Sequence, residues 1–409
     1  MADELLVFMK SEEKKGLVRI VESEVPAGIL QAGTSGRIID AQVKSKGPDD
    51  SIYIKYAHLR EKVARGNTFL KLKNGDSEEI LLLVYANKKF SGGPCDEDYG
   101  AVEEKGYERY LLSKANVAKI VRTEKQNGDA AHLSGRVISD EFYWCFGSKN
   151  VHMLVRNESD IDKYVDGRYH ICKKIAKTAW KTIQSLPPEN LETLKNLVND
   201  THGTLLAEIL QPDYQHVVPL RNSDPELCFI TLTPTYEKSG ARSLTAKPPH
   251  EILQLLKSVG LRTTAFQIVD GDMDLLPKIT EEIRSLVNSE GEVLYLMDGE
   301  DNTCGMIKIK TYWYIQLRAF REKGKSLLAK KQRGSKDAKM KMMDETKKRI
   351  SEIKKWLKFS DEVEEEWCRV GIEWLEWLDT VGGLTPYVGN FPNLWKNFTR
   401  MLVGGAILT

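Results

Sequence analysis

Residues 119–134 read KIVRTEKQNGDAAHLS, and the architecture of the chain turns on this stretch. Ala118 to Thr123 holds Ile120, Val121 and Thr123, a run of β-branched residues that predicts a strand. Asn127-Gly128 is a strong two-residue turn signal, so Ala130 to Val137 is expected to return antiparallel as the second arm of a hairpin. Lys125 then sits at the rim of a sheet, beside a glycine that lets a ligand approach the backbone closely. A lysine there acts as a nucleophile only if its surroundings help it lose a proton, because the free amine is protonated near neutral pH. Taken alone, Lys-x-Asn-Gly is equally what an ordinary surface hairpin carries.

The 409 residues are 41% hydrophobic with a mean hydropathy of −0.40. These are the values of a soluble globular chain, long enough for about two or three domains. A formal net charge of +1 does not mark the whole chain as a nucleic-acid binder. The charge is uneven, however: Arg321 to Lys358 has 15 Lys or Arg against 5 Asp or Glu, a local net of +10 that leaves the remainder near −9. Such a run is either an electrostatic footprint for phosphates or a solvated helix face. Cys95, Cys145, Cys172, Cys228, Cys304 and Cys368 are widely spaced, with no CxxC, and read as reduced intracellular thiols. Met1 to Lys15 is polar after a short apolar run, and no stretch reaches the length of a membrane span, so a soluble cytoplasmic or nuclear protein is expected.

Short strands are predicted over Val18–Ile20, Arg37–Val43, Ser51–Tyr56, Thr68–Leu72 and Ile80–Tyr85, with turn residues such as Asn74-Gly75-Asp76 between them. By themselves they are consistent with a separate β-domain. Further strands are expected over Phe142–Val155, which carries Gly147-Ser148-Lys149, and around Glu208 and Phe229. Asp160–Leu186, Leu191–Val198, Pro249–Val259 and Leu276–Asn288 have helical patterns. Glu208 lies in an apolar strand and needs either a salt-bridge partner or a ligand, since a buried lone carboxylate costs several kcal/mol. Thr263–Val269, Gly291–Met297 and Met306–Leu317 read as strands, the second preceded by Glu290. Period-two geometry puts Lys308 and Lys310 on one face of the last, with Ile307 and Ile309 on the other. Two lysines side by side suit phosphates, and their repulsion is expected to depress the pKa of Lys125. Asp361 to Trp377 has the spacing of an amphipathic helix, so Trp367, Trp374 and Trp377 are expected in a core.

In chain order the loaded stretches are Ala64-Arg65-Gly66-Asn67-Thr68-Phe69, Lys88-Lys89-Phe90, Lys125-Gln126-Asn127-Gly128, Gly147-Ser148-Lys149, the segment from Gly203 to Glu208, Glu290-Gly291-Glu292-Val293, and Lys308 to Tyr314. This order resembles the covalent nucleotidyltransferases, and most closely the phage-type RNA ligase 1 family, from about Arg60 to Arg321. Lys-Ile-Lys-x-x-Trp-Tyr at 308–314 is the most specific piece. Asn127 departs from the aspartate usual in that family and is similar to fungal-type tRNA-splicing ligases.

The resemblance implies an α+β fold, a nucleotidyltransferase domain of antiparallel sheets with flanking helices over 1–325 and a small all-α C-terminal domain over 326–409. Residues 1–50 have no counterpart. It implies Lys125, Lys308 and Lys310 as catalytic residues. Arg65, Lys89, Glu124, Asn127, Lys149, Glu208 (toward the ribose), Phe229 (toward adenine) and Tyr314 would hold the nucleotide, and Glu290 a metal. The cofactors implied are ATP, as covalent AMP on Lys125, and Mg2+ or Mn2+. The implied reaction joins an RNA 5′-phosphate to a 3′-hydroxyl through lysyl-AMP and adenylated RNA, in a monomer. Gly324-Lys325-Ser326 lacks the upstream glycine of a phosphate loop, Ala319 standing there, and no paired His-x-Thr occurs. A separate kinase or phosphatase would therefore heal unsuitable ends. The basic run would bind RNA through residues such as Lys330, Lys331, Arg333, Lys336, Lys339 and Lys341. A truncation near Arg321, if soluble, would still form lysyl-AMP. A capping-type guanylyltransferase, a DNA ligase and a non-catalytic sensor of RNA ends are the alternatives.

Overall fold

The computed structural model describes residues 1–47, 49–92, 106–112, 116–238, 242–381, 383–387 and 389–402. The chain opens with α1 (Ala2–Lys14), β1 (Val18–Glu24), β2 (Thr34–Val43), α2 (Asp50–Lys55) and α3 (Ala57–Lys62). β3 (Asn67–Asn74), β4 (Ser77–Tyr85) and the short β5 (Ser91–Gly92) follow. Next come β6 (Lys119–Glu124), β7 (Asp129–Ile138), β8 (Glu141–Gly147), β9 (His152–Val155), α4 (His170–Gln184) and α5 (Pro188–Thr201). β10 (Thr204–Leu210), β11 (Glu226–Thr233), α6 (Pro249–Ser258), β12 (Phe266–Asp270), α7 (Leu276–Arg284), β13 (Gly291–Met297) and β14 (Thr303–Lys310) complete the sheets. A run of helices closes the chain: α8 (Tyr312–Gln332), α9 (Ala338–Leu357), α10 (Asp361–Val381), α11 (Leu384–Tyr387) and α12 (Phe391–Met401).

The expected α+β class holds: antiparallel sheets flanked by helices, then a helical C-terminal region. The strands form three sheets, ordered β1-β2-β3-β4, β11-β10-β7-β8-β9 and β12-β6-β13-β14-β5, in which only the β5–β14 pair is parallel among the described strands. One expectation fails here with consequence. β6 and β7 are not a hairpin; they belong to different sheets, β6 between β12 and β13, and β7 between β10 and β8. Residues 125–128 are the crossing between the two sheets.

The reason lies in side chains that a local turn reading ignores. Asn127 Oδ1 accepts from the Val217 and Val218 amides, both at 2.9 Å, which pins the residue to a distant loop. A Cβ on Gly128 would lie 2.4 Å from the Ile209 carbonyl oxygen, so glycine is required for close backbone approach and not for a hairpin turn.

Ser51–Tyr56 also departs from expectation: it lies mostly in α2, where Tyr53 is buried with Leu59 and Val63 under the first sheet. A short apolar run cannot by itself distinguish helix from strand. Residues 312–317, expected to continue a strand, begin α8, whose N-cap Thr311 accepts the Tyr314 amide. Asp160–Leu186 is helical over a shorter span, with two 3₁₀ turns ahead of α4. Residues 1–50 supply α1, β1 and β2, and the sheet they build with β3 and β4 shares its core with the second sheet, Leu70, Leu83 and Val84 lying in one cluster with Leu133 and Phe146.

The third sheet is built on alternation. Leu294, Leu296, Ile307 and Ile309 pack under α7 against Ile279 and Ile283. Val293, Tyr295 and Met306 face the opposite way. In the helical region, α10 buries Trp367, Val370, Gly371, Trp374, Leu375 and Leu378 at helical spacing. A Cβ at Gly371 would come within 2.7 Å of the Phe320 ring, which shows how tightly α10 lies on α8. Residue 325, the expected domain boundary, falls inside α8, which begins beside β14 and ends in the helical core. Cys145, Cys172, Cys228, Cys304 and Cys368 are free thiols. Cys95 and Gly382 lie outside the described residues.

Candidate active site

Lys125 follows β6 directly. Its amide donates to the Gly291 carbonyl at 2.8 Å, fixing it at the start of β13. Its Nζ lies 2.7 Å from Glu290 Oε1 and 3.8 Å from Glu208 Oε1. The two carboxylates come from different sheets, Glu290 preceding β13 and Glu208 from β10. Each is held by the crossing itself, for Asn127 Nδ2 donates to Glu290 Oε2 at 2.6 Å and the Gly128 amide donates to Glu208 Oε2 at 2.6 Å. Tyr314 Oη, from the first turn of α8, lies 3.4 Å from Asn127 Nδ2.

This surrounding reverses one expectation. Burial pushes the Lys125 ammonium toward losing its proton, but Glu290 and Glu208 outweigh burial and hold its pKa above the ordinary lysine value. The two carboxylates sit against the amine, and this decides the sign against the repulsion expected from Lys308 and Lys310. Glu208 shifts in the same direction for a different reason: burial lifts its carboxyl to about 7 against the pull of Lys125.

These groups line one cavity of about 1560 Å³. Lys308 and Lys310 face into it from β14, on the face opposite Ile307 and Ile309, as alternation requires. Thr123, Val293, Tyr295 and Met306 add an apolar wall beside them. Glu124 also lines the cavity and its carbonyl accepts from the Thr264 hydroxyl at 2.7 Å. Arg65, Lys89 and Lys149 form a cationic corner on the far side.

That corner holds a group the sequence did not single out. Asp49 Oδ2 lies 3.2 Å from Arg65 Nε and 2.7 Å from Lys149 Nζ, while its Oδ1 lies 3.0 Å from Lys89 Nζ. Asp50 adds a fourth ion pair, 2.7 Å from Lys89 Nζ. Burial would raise the Asp49 carboxyl, yet Arg65, Lys89 and Lys149 together hold it well below the ordinary aspartate value. Burial and the neighbouring Arg65 lower the Lys149 ammonium.

Two of the residues singled out from sequence are not among those lining the cavity. The Asn127 side chain is spent on Val217, Val218 and Glu290, and so braces the crossing. Phe229 is fully buried in the core with Leu205 and Ile252; alternation turns its neighbour Ile230 to the cavity instead. Among the described residues no group of three or more His, Cys, Asp or Glu side chains is arranged to hold a metal ion. A magnesium-type ion usually takes one or two carboxylates, with substrate phosphates and water supplying the rest. Glu290 and Glu208, on either side of Lys125, fit that partial role.

A family model described as "Domain of unknown function (DUF7920)" matches residues 30–321. The chain belongs to this family. The DUF7920 span thus takes in β2 through the first half of α8, and with it Asp49 and every catalytic, nucleotide and metal candidate named from sequence, while the basic residues from Lys330 to Lys341 lie beyond it. No curated protein matches the chain. Among solved structures, an archaeal ATP-dependent RNA ligase (form 1) is 13% identical, covering 97% of this chain and 82% of that one with a TM-score of 0.45. A mutant RNA ligase of Naegleria gruberi with ATP and Mn is 14% identical, covering 74% of this chain and 97% of that one with a TM-score of 0.34. Neither likeness is close enough to carry an assignment.

Within the DUF7920 span the sequence missed Asp49 and His132. His132 lines the cavity, and its Nδ1 lies 3.1 Å from His152 Nε2, whose own Nδ1 lies 2.9 Å from Asp40 Oδ1. Burial, with His152 close by, lowers the His132 pKa strongly, so it stands neutral. Asp49-Asp50 next to an apolar run was the visible signal for the first, and a histidine alternating with Leu133 and Ala131 for the second. Beyond the span, Arg349 and Trp356 reach the same cavity.

Proposed function

We propose that this DUF7920 chain is an ATP-dependent RNA ligase that works through a lysyl-AMP adduct on Lys125. The observation that carries the reading is the placement of Lys125 between two carboxylates in a cavity whose other walls present Lys308, Lys310, Arg65, Lys89 and Lys149. A nucleophilic amine needs a proton acceptor, and a polyphosphate needs cations around it. The motif order supports the same reading.

Lys125 Nζ attacks the α-phosphorus of ATP, forming a P–N bond as the P–O bond to pyrophosphate breaks. Lys125, held as an ammonium, first gives one proton to the adjoining carboxylate, for which Glu208, with a pKa near 7, is suited, and the second proton leaves the nitrogen with the departing pyrophosphate. Lys308 and Lys310 face the charge that develops on the phosphoryl oxygens. Arg65, Lys89 and Lys149 take the leaving phosphates, which requires Asp49 to yield them. A divalent ion held by Glu290 would draw that carboxylate from Lys125 and neutralise phosphate charge when bound. The adenylyl group then passes to an RNA 5′-phosphate, and a 3′-hydroxyl displaces AMP to leave a phosphodiester. Ends lacking a 5′-phosphate would need a separate kinase.

The test is incubation with ATP, GTP or another nucleotide labelled at the α-phosphate. An acid-labile adduct formed from ATP is expected. Lys125→Arg keeps the charge but cannot be deprotonated, so it should take no label and should not join 5′-phosphorylated RNA. It should still seal part of a pre-adenylated RNA, which needs no lysine adduct. Label on Lys125→Arg, or an adduct formed only with GTP, overturns the reading.

A further inference from the structure

The cavity around Lys125 is larger than a nucleotide site needs: small-molecule pockets run to about 300–1,000 Å³, against about 1560 Å³ here. Part of its lining comes from the helical region. On α8, Tyr314, Arg318 and Arg321 follow at spacings of four and three and share a face. Tyr314 adjoins Asn127 and so lies beside the reacting lysine. At about 1.5 Å per residue, Arg321 stands roughly 10 Å farther along the helix. On α9, Arg349 and Trp356 are seven residues apart and also face the cavity. The Arg349 guanidinium lies over the Trp356 ring, 4.7 Å from its centroid, and is steered by Glu352 at 3.4 Å.

From this we infer that α8 and α9 form the single-stranded RNA subsite of the enzyme, with Arg318 and Arg321 on the phosphates and the Trp356–Arg349 pair stacking a base near the end to be joined. The inference rests on the proposed ligase reading. A distance of roughly 10 Å is two or three steps of a stacked strand, whose rise is about 3.4 Å. Aromatic rings and guanidinium planes are the groups on which unpaired bases stack, and stacking tolerates any base. Part of the basic run is engaged elsewhere. Lys330 pairs with Glu345 at 3.2 Å, Lys331 and Lys339 pair with Asp379 at 2.6 and 3.6 Å, and none of the three lines the cavity. The proposed RNA contact thus falls on four side chains that line the cavity, three of which, Arg321, Arg349 and Trp356, lie within the charge-dense stretch read from sequence.

The experiment uses the full chain and a 5′-phosphorylated single-stranded RNA, with affinity read by fluorescence anisotropy and adduct formation read separately with labelled ATP. Trp356→Ala should weaken RNA binding roughly tenfold and slow sealing to match, with the adduct forming as in the parent. Trp356→Phe should restore most of the affinity. Because Trp356 also packs on the helical core, Arg349→Ala is the second probe and should weaken binding in the same direction. An RNA whose end nucleotides are abasic should bind the parent as weakly as intact RNA binds Trp356→Ala. If both variants bind and seal intact RNA like the parent while adduct forms, the subsite is wrong and the ligase reading stands. If no nucleotide labels the parent, yet Trp356→Ala loses RNA binding, the ligase reading fails and the RNA site survives. Equal weakening with any polyanion, abasic RNA included, overturns the stacking role.

Discussion

Lys125 shows how far a residue can be read from sequence and where that reading stops. Its proposal as the central group followed from the motif order. Its electrostatics did not, because Glu290 lies 165 positions away and Glu208 in another sheet. Asp49 was illegible for the same reason: its three cationic partners come from residues 65, 89 and 149. The Glu208 carboxyl gives a test at this scale. Its pKa rises from 4.5 to about 7 on folding, so between those values the folded chain holds a proton that the unfolded chain has released. The contribution of this group to stability therefore falls as pH rises from about 4.5 to 7, by on the order of 1–3 kcal/mol. Lys125, shifted upward, contributes stability lost only above its ordinary value, and Asp49, shifted downward, contributes stability lost only in acid, so neither alters this window. His132, shifted downward, adds stability as pH rises toward 6.5, so the reading is the difference between variants: from pH 5 to 8 the urea midpoint of the parent should lose ground against that of Glu208→Gln. Parallel profiles would show that Glu208 is ionised throughout.

At the scale of elements, strands with clean alternation were legible and crossings were not. β13 stands where the pattern put it and β14 does so as far as Lys310, their apolar faces toward α7 and the β14 lysines toward the cavity. The Asn127-Gly128 dipeptide misled, because the same two residues that favour a hairpin also suit a strand-to-strand crossing. α2 was read as a strand because Ile52, Tyr53 and Ile54 suit either state. The face of β14 yields a prediction. Lys308→Ala removes one cation from the wall facing Lys125 without touching Ile307 or Ile309. The rate of adduct formation should fall about 10²-fold with little change in melting temperature. An unchanged adduct rate would remove β14 from the chemistry.

The whole molecule is joined through α8. Ile315, Leu317 and Phe320 are fully or almost fully buried in the helical cluster with α9 and α10, in the same part of the helix from which Tyr314 reaches the cavity. A chain ending at Arg321 would expose these three, at about 1.5–3 kcal/mol each. It should run as aggregates in gel filtration, where a division at residue 325 would have promised a working fragment. A monodisperse truncation that forms adduct would show the two parts to be separable. The Asp49 clasp has a consequence on the same scale. It ties the loop ahead of α2 to the approach to β3, to the segment after β4 and to the β8–β9 loop, and those cations cannot serve both a carboxylate and a triphosphate. Nucleotide would then untie the rim while ordering the centre. In amide hydrogen exchange, saturating ATP should slow the amides of Lys125 and Gly128 and hasten those of Asp49, Asp50 and Ser51. Ligand binding would leave a mark of loosening on one side of the cavity and of tightening on the other, and slower exchange on both sides would mean that Asp49 never lets go.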